Sequence, residues 1–293
     1  MTTPARRILL CADDYALTRN ISLAVAELAR QGRLSAASAL VTTPEWRCSA
    51  QAMVSLRRDI ALGLHLNLTL GAPLGPMPDQ TTSGVLPPVS AWIRQSLTNR
   101  LQPDEVEAEF DRQFEAFEAI AGAPPDHVDG HHHVHVLPGI RGALARVLVR
   151  RFERDRMPLV RVPGDKLLAI LGRGANVGKS LTLAALSAGS GALFKSLGAT
   201  VNEGFAGFSS FRRSIPFADE LDLFNRNPGP AHMVMCHPGH TDEVLAGLDP
   251  VTLRREDEFL ALIADQTLPA RIHHPAYHRN SDGYIDWKSL LGT

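Results

Sequence analysis

Residues 7–14 read Arg-Ile-Leu-Leu-Cys-Ala-Asp-Asp, a short apolar run that ends in two adjacent carboxylates. A continuous apolar stretch of this length suits a strand buried on both faces of a parallel sheet. The pattern recurs: apolar runs at 36–41, 60–66, 159–162 and 231–236, and a short stretch at 127–130, read as further strands. Between them lie helical periodicities. Thr18 is placed to cap the first helix, with Ile21, Val25 and Leu28 on one face and Gly32 at its stop. Further helices are expected at 46–58, 103–121, 138–152 and 251–264; the second of these has Pro103 in its first turn and Val106, Phe110, Phe114 and Phe117 on its apolar face. This alternation implies a parallel sheet, and the number of units favours a closed or nearly closed β/α barrel, an α/β fold. One domain over residues 1–293 is expected. Two stretches interrupt the pattern and read as insertions over one face: about 71–100, opening with a Pro- and Gly-rich 71–88, and 166–211, rich in Gly, Ala, Ser and Leu.

The bulk composition narrows the function classes. Thirty basic residues against thirty-one acidic ones give a net charge of -1, without the electrostatic footprint of a nucleic-acid or anionic-membrane binder. A small or neutral molecule is the expected partner. The three cysteines, Cys11, Cys48 and Cys236, are odd in number and widely spaced, which points away from a disulfide framework and towards a reducing compartment. No run approaches the ~20 apolar residues of a membrane helix, and the first run is too short for a signal peptide. A cytoplasmic location is the expectation. Residues 172–180 end in Gly-Lys-Ser, but position 173 is Arg where a phosphate-binding loop requires Gly, so no nucleotide site is expected.

Chemistry concentrates at the ends of the strands. The first delivers Asp13 and Asp14, the third His65, the fourth His131 and the last His237, and the C-terminal strand ends of a barrel form one face. One carboxylate with two imidazoles is a ligand set for Zn²⁺ or a related divalent ion, with open positions for water and substrate. Adjacent aspartates leave a strand in different directions, so one can bind metal while the other stays free as a base. His131 and His135, four apart, are an alternative pair if they share a helical face. Twelve histidines occur, four of them within 131–135.

Five motifs carry a resemblance to a known family: ADDYALT at 12–18, GLHLNLT at 63–69, HVDGHHHVH at 127–135, GFSS at 207–210 and MCHPG at 235–239. In this order they resemble the YdjC-like carbohydrate deacetylases. The resemblance implies a distorted, TIM-like (β/α) barrel with a metal held by Asp14, His65 and His131. It further implies Asp13 as general base and His237 as general acid. The implied reaction removes an acetyl group from an N-acetylated carbohydrate, an N-acetylglucosamine-containing oligosaccharide or glycolipid, by attack of a metal-activated water on the amide carbonyl. One divalent ion is expected, Mg²⁺ by resemblance and Zn²⁺ by ligand chemistry. Asp129, His133 and His135 are expected to orient the ligating imidazoles, and Arg161 either to contact substrate or to form a surface ion pair. Cys11, Tyr15 and Ala16 stand where the family has Asn, Phe and Gly, and Gly130 where it often has Ser; the ligand positions are intact. Family analogy adds a homodimer. The competing readings are a barrel metallophosphoesterase, which would hold two ions, and a non-catalytic sugar-binding protein.

Overall fold

The computed structural model describes residues 6–212, 214–248 and 251–292. Its elements run β1 (Leu9–Tyr15), α1 (Arg19–Arg30), β2 (Ala36–Ala39), α2 (Trp46–Ser55), β3 (Ala61–Leu66), α3 (Val89–Leu97), α4 (Pro103–Ala121), β4 (His127–Gly130), α5 (Ile140–Arg151) and β5 (Leu159–Val160). Three helices, α6 (Leu167–Arg173), α7 (Val177–Leu186) and α8 (Ser190–Leu197), precede β6 (Phe205–Ala206) and α9 (Phe217–Phe224). The chain continues through β7 (Met233–Cys236), α10 (Glu243–Leu248), α11 (Leu253–Ala264), α12 (Leu268–Arg271) and α13 (Trp287–Leu291).

The seven strands pair in parallel in the order β5-β4-β3-β2-β1-β7-β6. Every residue of the strands is buried, because helices cover the outside and side chains fill the inside. Alternation sorts the two layers. Leu10, Ala12, Leu62, Leu64, Val128 and Val234 join the helices in the outer core. Leu9, Cys11, Ala36, Ala61, Met233 and Met235 fill the interior, with Trp287 of α13 among them. The sheet curls so that its two edges approach. Val201 bridges to Val160, and Asn202 accepts from the Val162 N–H at 2.7 Å and donates to the carbonyls of Val162 and Gly204 at 2.9 and 3.0 Å. The result is a curled α/β barrel whose seam is closed by the Val160 to Val201 bridge and the Asn202 side chain, the distorted barrel expected.

Local sequence accounts for most boundaries. Thr18 caps α1, its Oγ1 accepting from the Ile21 N–H at 3.3 Å, and Gly32 takes the left-handed φ of 66° that ends the turn. Pro103 opens α4, and Val106, Phe110, Phe114 and Phe117 are all buried. The segment 166–211 holds more than loops over one face: besides three helices it supplies the seam residues and β6, a strand absent from the sequence expectation. Two residues carry too little pattern to be read.

Candidate active site

The strand ends meet as their chemistry demands. In β1, Ala12 pairs with Ala37 and Tyr15 with Ala39, so Asp13 and Asp14 together oppose the single residue Ser38. This is a bulge, and Asp14 takes a left-handed φ of 65° within it. Simple alternation therefore does not separate the two carboxylates; the bulge does. Asp13 turns to Arg161, whose two Nη atoms donate to its oxygens at 2.7 and 2.6 Å. Asp14 turns to the histidines, its Oδ1 lying 3.4 Å from His65 Nε2 and 3.1 Å from His131 Nδ1.

Asp14, His65 and His131 bring one ligand atom each within 4.8 Å of the others. Ligands about 2.1 Å from a tetrahedral Zn²⁺ stand about 3.4 Å apart, so the cluster has the span of an ion site. Its support matches as well. His65 Nδ1–H donates to Asp129 Oδ1 at 2.6 Å, which leaves Nε2 to face Asp14. Asp129 Oδ2 accepts from Ser38 Oγ at 2.6 Å and pairs with Arg161 at 2.5 Å. Two other clusters, Cys11/His127/Asp129 and Asp13/His65/Asp129, each depend on Asp129, whose oxygens are already taken. They do not compete.

Electrostatics reinforce the arrangement. Burial opposes the charge of Asp14, but Arg255 and hydrogen bonds from His131 and His65 hold its carboxyl well below the usual range. Burial likewise works against a charged His65, yet Asp129, Asp14 and Asp13 raise it to about 10. His237 faces the same cavity, and burial lowers it to about 4 although Asp14 and Asp13 pull the other way. In the ion-free protein at neutral pH, His237 is therefore a neutral imidazole.

The remaining expectations divide. Asp129 does orient His65. His133 instead lines the cavity edge-on to Phe205 and Phe208, and His135 Nε2 bonds the Arg161 carbonyl at 2.8 Å, so neither holds a ligating imidazole. His131 and His135 share no helical face, because His132 and His133 take left-handed φ values of 51° and 58° in a 3₁₀ segment. Arg161 forms no surface pair and lines no part of the cavity; it is fully buried between Asp13 and Asp129.

A profile of the YdjC-like protein family matches residues 7–270. The chain belongs to the YdjC-like family. A chitooligosaccharide deacetylase of Proteus mirabilis (strain HI4320) is 34% identical over 166 residues, 56% of this chain and 61% of that relative. One of Klebsiella pneumoniae (strain ATCC 700721) is 29% identical over 269 residues, 89% of this chain and 95% of the relative. The chain thus spans under two thirds of the first relative's length and nearly all of the second's. Among solved structures, a protein of Enterococcus faecalis V583 described as acting in cellobiose-phosphate cleavage superposes with a TM-score of 0.68 at 21% identity, covering 89% of this chain and 92% of that one. That likeness shows the fold.

Three contributors to this YdjC-like site went unmarked in the sequence. Arg255 of α11 donates to Asp14 Oδ2 at 2.6 Å, leaving Oδ1 for the cluster. Ser38 gives its one proton to Asp129, so His127 Nε2–H must donate to Ser38 Oγ, 2.9 Å away. His127 in turn fits only because residue 63 is Gly: a Cβ there would lie 2.1 Å from His127 Nε2. The departure Cys11 packs beside these groups, 3.2 Å from Arg161, its thiol pushed up by burial.

Proposed function

We propose that this chain is a metal-dependent deacetylase of an N-acetylated carbohydrate, with one divalent ion on Asp14, His65 and His131. The observation that carries the reading is the convergence of these three ligand atoms beside Asp13 and His237 in one cavity. The family and the names of its relatives point to the same chemistry. Two imidazoles among three ligands favour Zn²⁺ over the harder Mg²⁺. A divalent ion bound there supplies Lewis acidity for an amide carbonyl and acidifies water at neutral pH.

The chain's own residues supply the rest. Asp13, held at both oxygens by Arg161, is oriented at the cavity wall and accepts the proton of the attacking water. His237 must give a proton to the departing amine, so it needs a higher pKa than it has in the free protein. Negative charge developing on the substrate beside it provides that shift. Three unpaired thiols, two of them buried, fit a reducing compartment such as the cytoplasm.

The test is acetate release from N-acetylglucosamine oligomers by protein loaded with Zn²⁺, Mg²⁺ or Mn²⁺, with Asp13→Asn in parallel. The variant is expected to keep one ion per chain and to lose at least about a hundredfold in kcat. Full turnover in Asp13→Asn would remove Asp13 as the base, and two ions per chain would favour phosphoester hydrolysis instead.

A further inference from the structure

The ring of His237 makes no hydrogen bond among the described residues. Its Nδ1 is buried and unpaired, and the Phe211 ring meets it edge-on, 5.9 Å between centres. The place of the imidazole is therefore inherited from its backbone. β7 ends at Cys236, and the chain passes on through His237, Pro238 and Gly239. Pro238 has no N–H. Both remaining N–H groups go to α11: that of His237 donates to Glu258 Oε2 at 2.6 Å, and that of Gly239 to the Arg255 carbonyl at 3.0 Å. The fit is close, since a Cβ on Gly239 would lie 2.8 Å from Ile21 of α1.

Glu258 is 1% exposed and is not part of the cavity wall. The bond to His237 is its one hydrogen bond among the described residues. The two guanidiniums on its helix serve other carboxylates, Arg254 that of Glu220 and Arg255 that of Asp14, both at 2.6 Å. Burial lifts the Glu258 carboxyl to about 7; the His237 N–H, Arg254 and Arg255 oppose this, and Glu220 of α9 adds to it. From the end of β7, Cys236 and His237 face the same group, and burial and Glu258 both push the Cys236 thiol up. A glutamine would accept the same backbone bond without burying a charge. It would not place negative charge beside a residue that has to hold a proton.

We infer that Glu258 is a positioning residue for the proton donor: it fixes His237 by its backbone, at a spacing from Asp14 that α11 sets through Arg255, and as a carboxylate it favours the imidazolium that the departing amine requires. This rests on the deacetylase reading above, with His237 as the acid. Glu258 acts through His237 and does not itself reach the cavity.

The experiment follows acetate release from N-acetylglucosamine oligomers by the Zn²⁺-saturated chain and its Glu258→Gln variant from about pH 6 to about pH 8.5, with thermal unfolding of both. At about pH 8 the variant should lose about tenfold in kcat, the worth of one pKa unit at His237, with KM and one ion per chain unchanged. Parent kcat should climb through about pH 7 as Glu258 ionises, and the variant should lack that step. Because the folded value is the higher one, the contribution of Glu258 to stability is complete below about pH 4.5 and is lost as pH rises through about 7. The variant should therefore melt no lower than the parent at about pH 8, which a purely structural role does not predict. An unchanged kcat and pH profile, a loss confined to KM, or a melting temperature that falls along with kcat would overturn the inference and leave the deacetylase reading standing. Full turnover in His237→Ala would remove the donor, and the inference with it. No acetate from the parent chain would remove the deacetylase reading itself.

Discussion

His65 lies between Asp129 on one ring nitrogen and Asp14 on the other, and on the proposed reading this position should make ion uptake a proton exchange. With its pKa raised from 6.5 to about 10, the ring carries two protons in the ion-free protein at neutral pH. Ligation requires a bare Nε2, so one proton should leave as the ion enters, and apparent affinity should climb about tenfold per pH unit from pH 7 towards 10. Calorimetry in buffers of different ionisation enthalpy measures this directly; uptake without proton release would contradict it. The sign for stability follows. Because the folded value is the higher, the contribution of His65 to ion-free stability is complete below about pH 6.5 and is lost as pH rises through about 10. Gly63 poses a steric counterpart. Gly63→Ala should destabilise by about 1–3 kcal/mol, because a methyl group would occupy the His127 ring. Adding His127→Ala should relieve at least about 1 kcal/mol of that cost in urea unfolding, and strict additivity would refute the contact.

At the scale of elements, the bulge in β1 and the start of α1 form one unit. Ser22 Oγ accepts from the Ala16 N–H at 3.0 Å and donates to the Thr18 carbonyl at 3.0 Å, tying the left-handed backbone after Asp14 to the first helical turn. Ser22→Ala strands a buried N–H and should cost about 1–3 kcal/mol, with a parallel loss of ion affinity because Asp14 is two residues away. An unchanged melting temperature would show the tie to be dispensable. Elements with a strong repeat were legible in the sequence: α4 runs from its Pro to Ala121 as its periodicity predicts, and the run ending at Cys236 is β7. The bulge was not legible. Its geometry is set by a register difference against β2, and no pattern within 7–15 encodes that. The left-handed turn at His132 and His133 escaped too, because a histidine does not by itself signal a positive φ, and with it went the failure of His131 and His135 to share a face.

At the scale of the molecule, the sheet closes through Asn202 together with the Val160 to Val201 bridge. Asn202→Leu removes partners from three backbone groups at the seam and should cost about 2 kcal/mol or more, a fall of several degrees in melting temperature. A variant as stable as the parent would mean that the Val160 to Val201 bridge closes the seam unaided. The long-range partners of the site were hidden from sequence reasoning in a similar way. Asp14, His65 and His131 announce themselves as ligand types at strand ends, whereas Ser38 and Arg255 are ordinary residues until the chain brings them 91 and 241 positions across to their carboxylates, and Arg161, singled out for another role, pairs with Asp13 148 positions away.

Arg161 spans Asp13 and Asp129 with one rigid guanidinium, and so joins the proposed proton acceptor to the carboxylate behind His65. Neither group should drift alone. A thermal displacement of one should be passed to the other, so the spacing between Asp13 and the His65 ring should fluctuate less than either group's absolute position. Chain motions that would blur two separately anchored groups should leave this distance sharp.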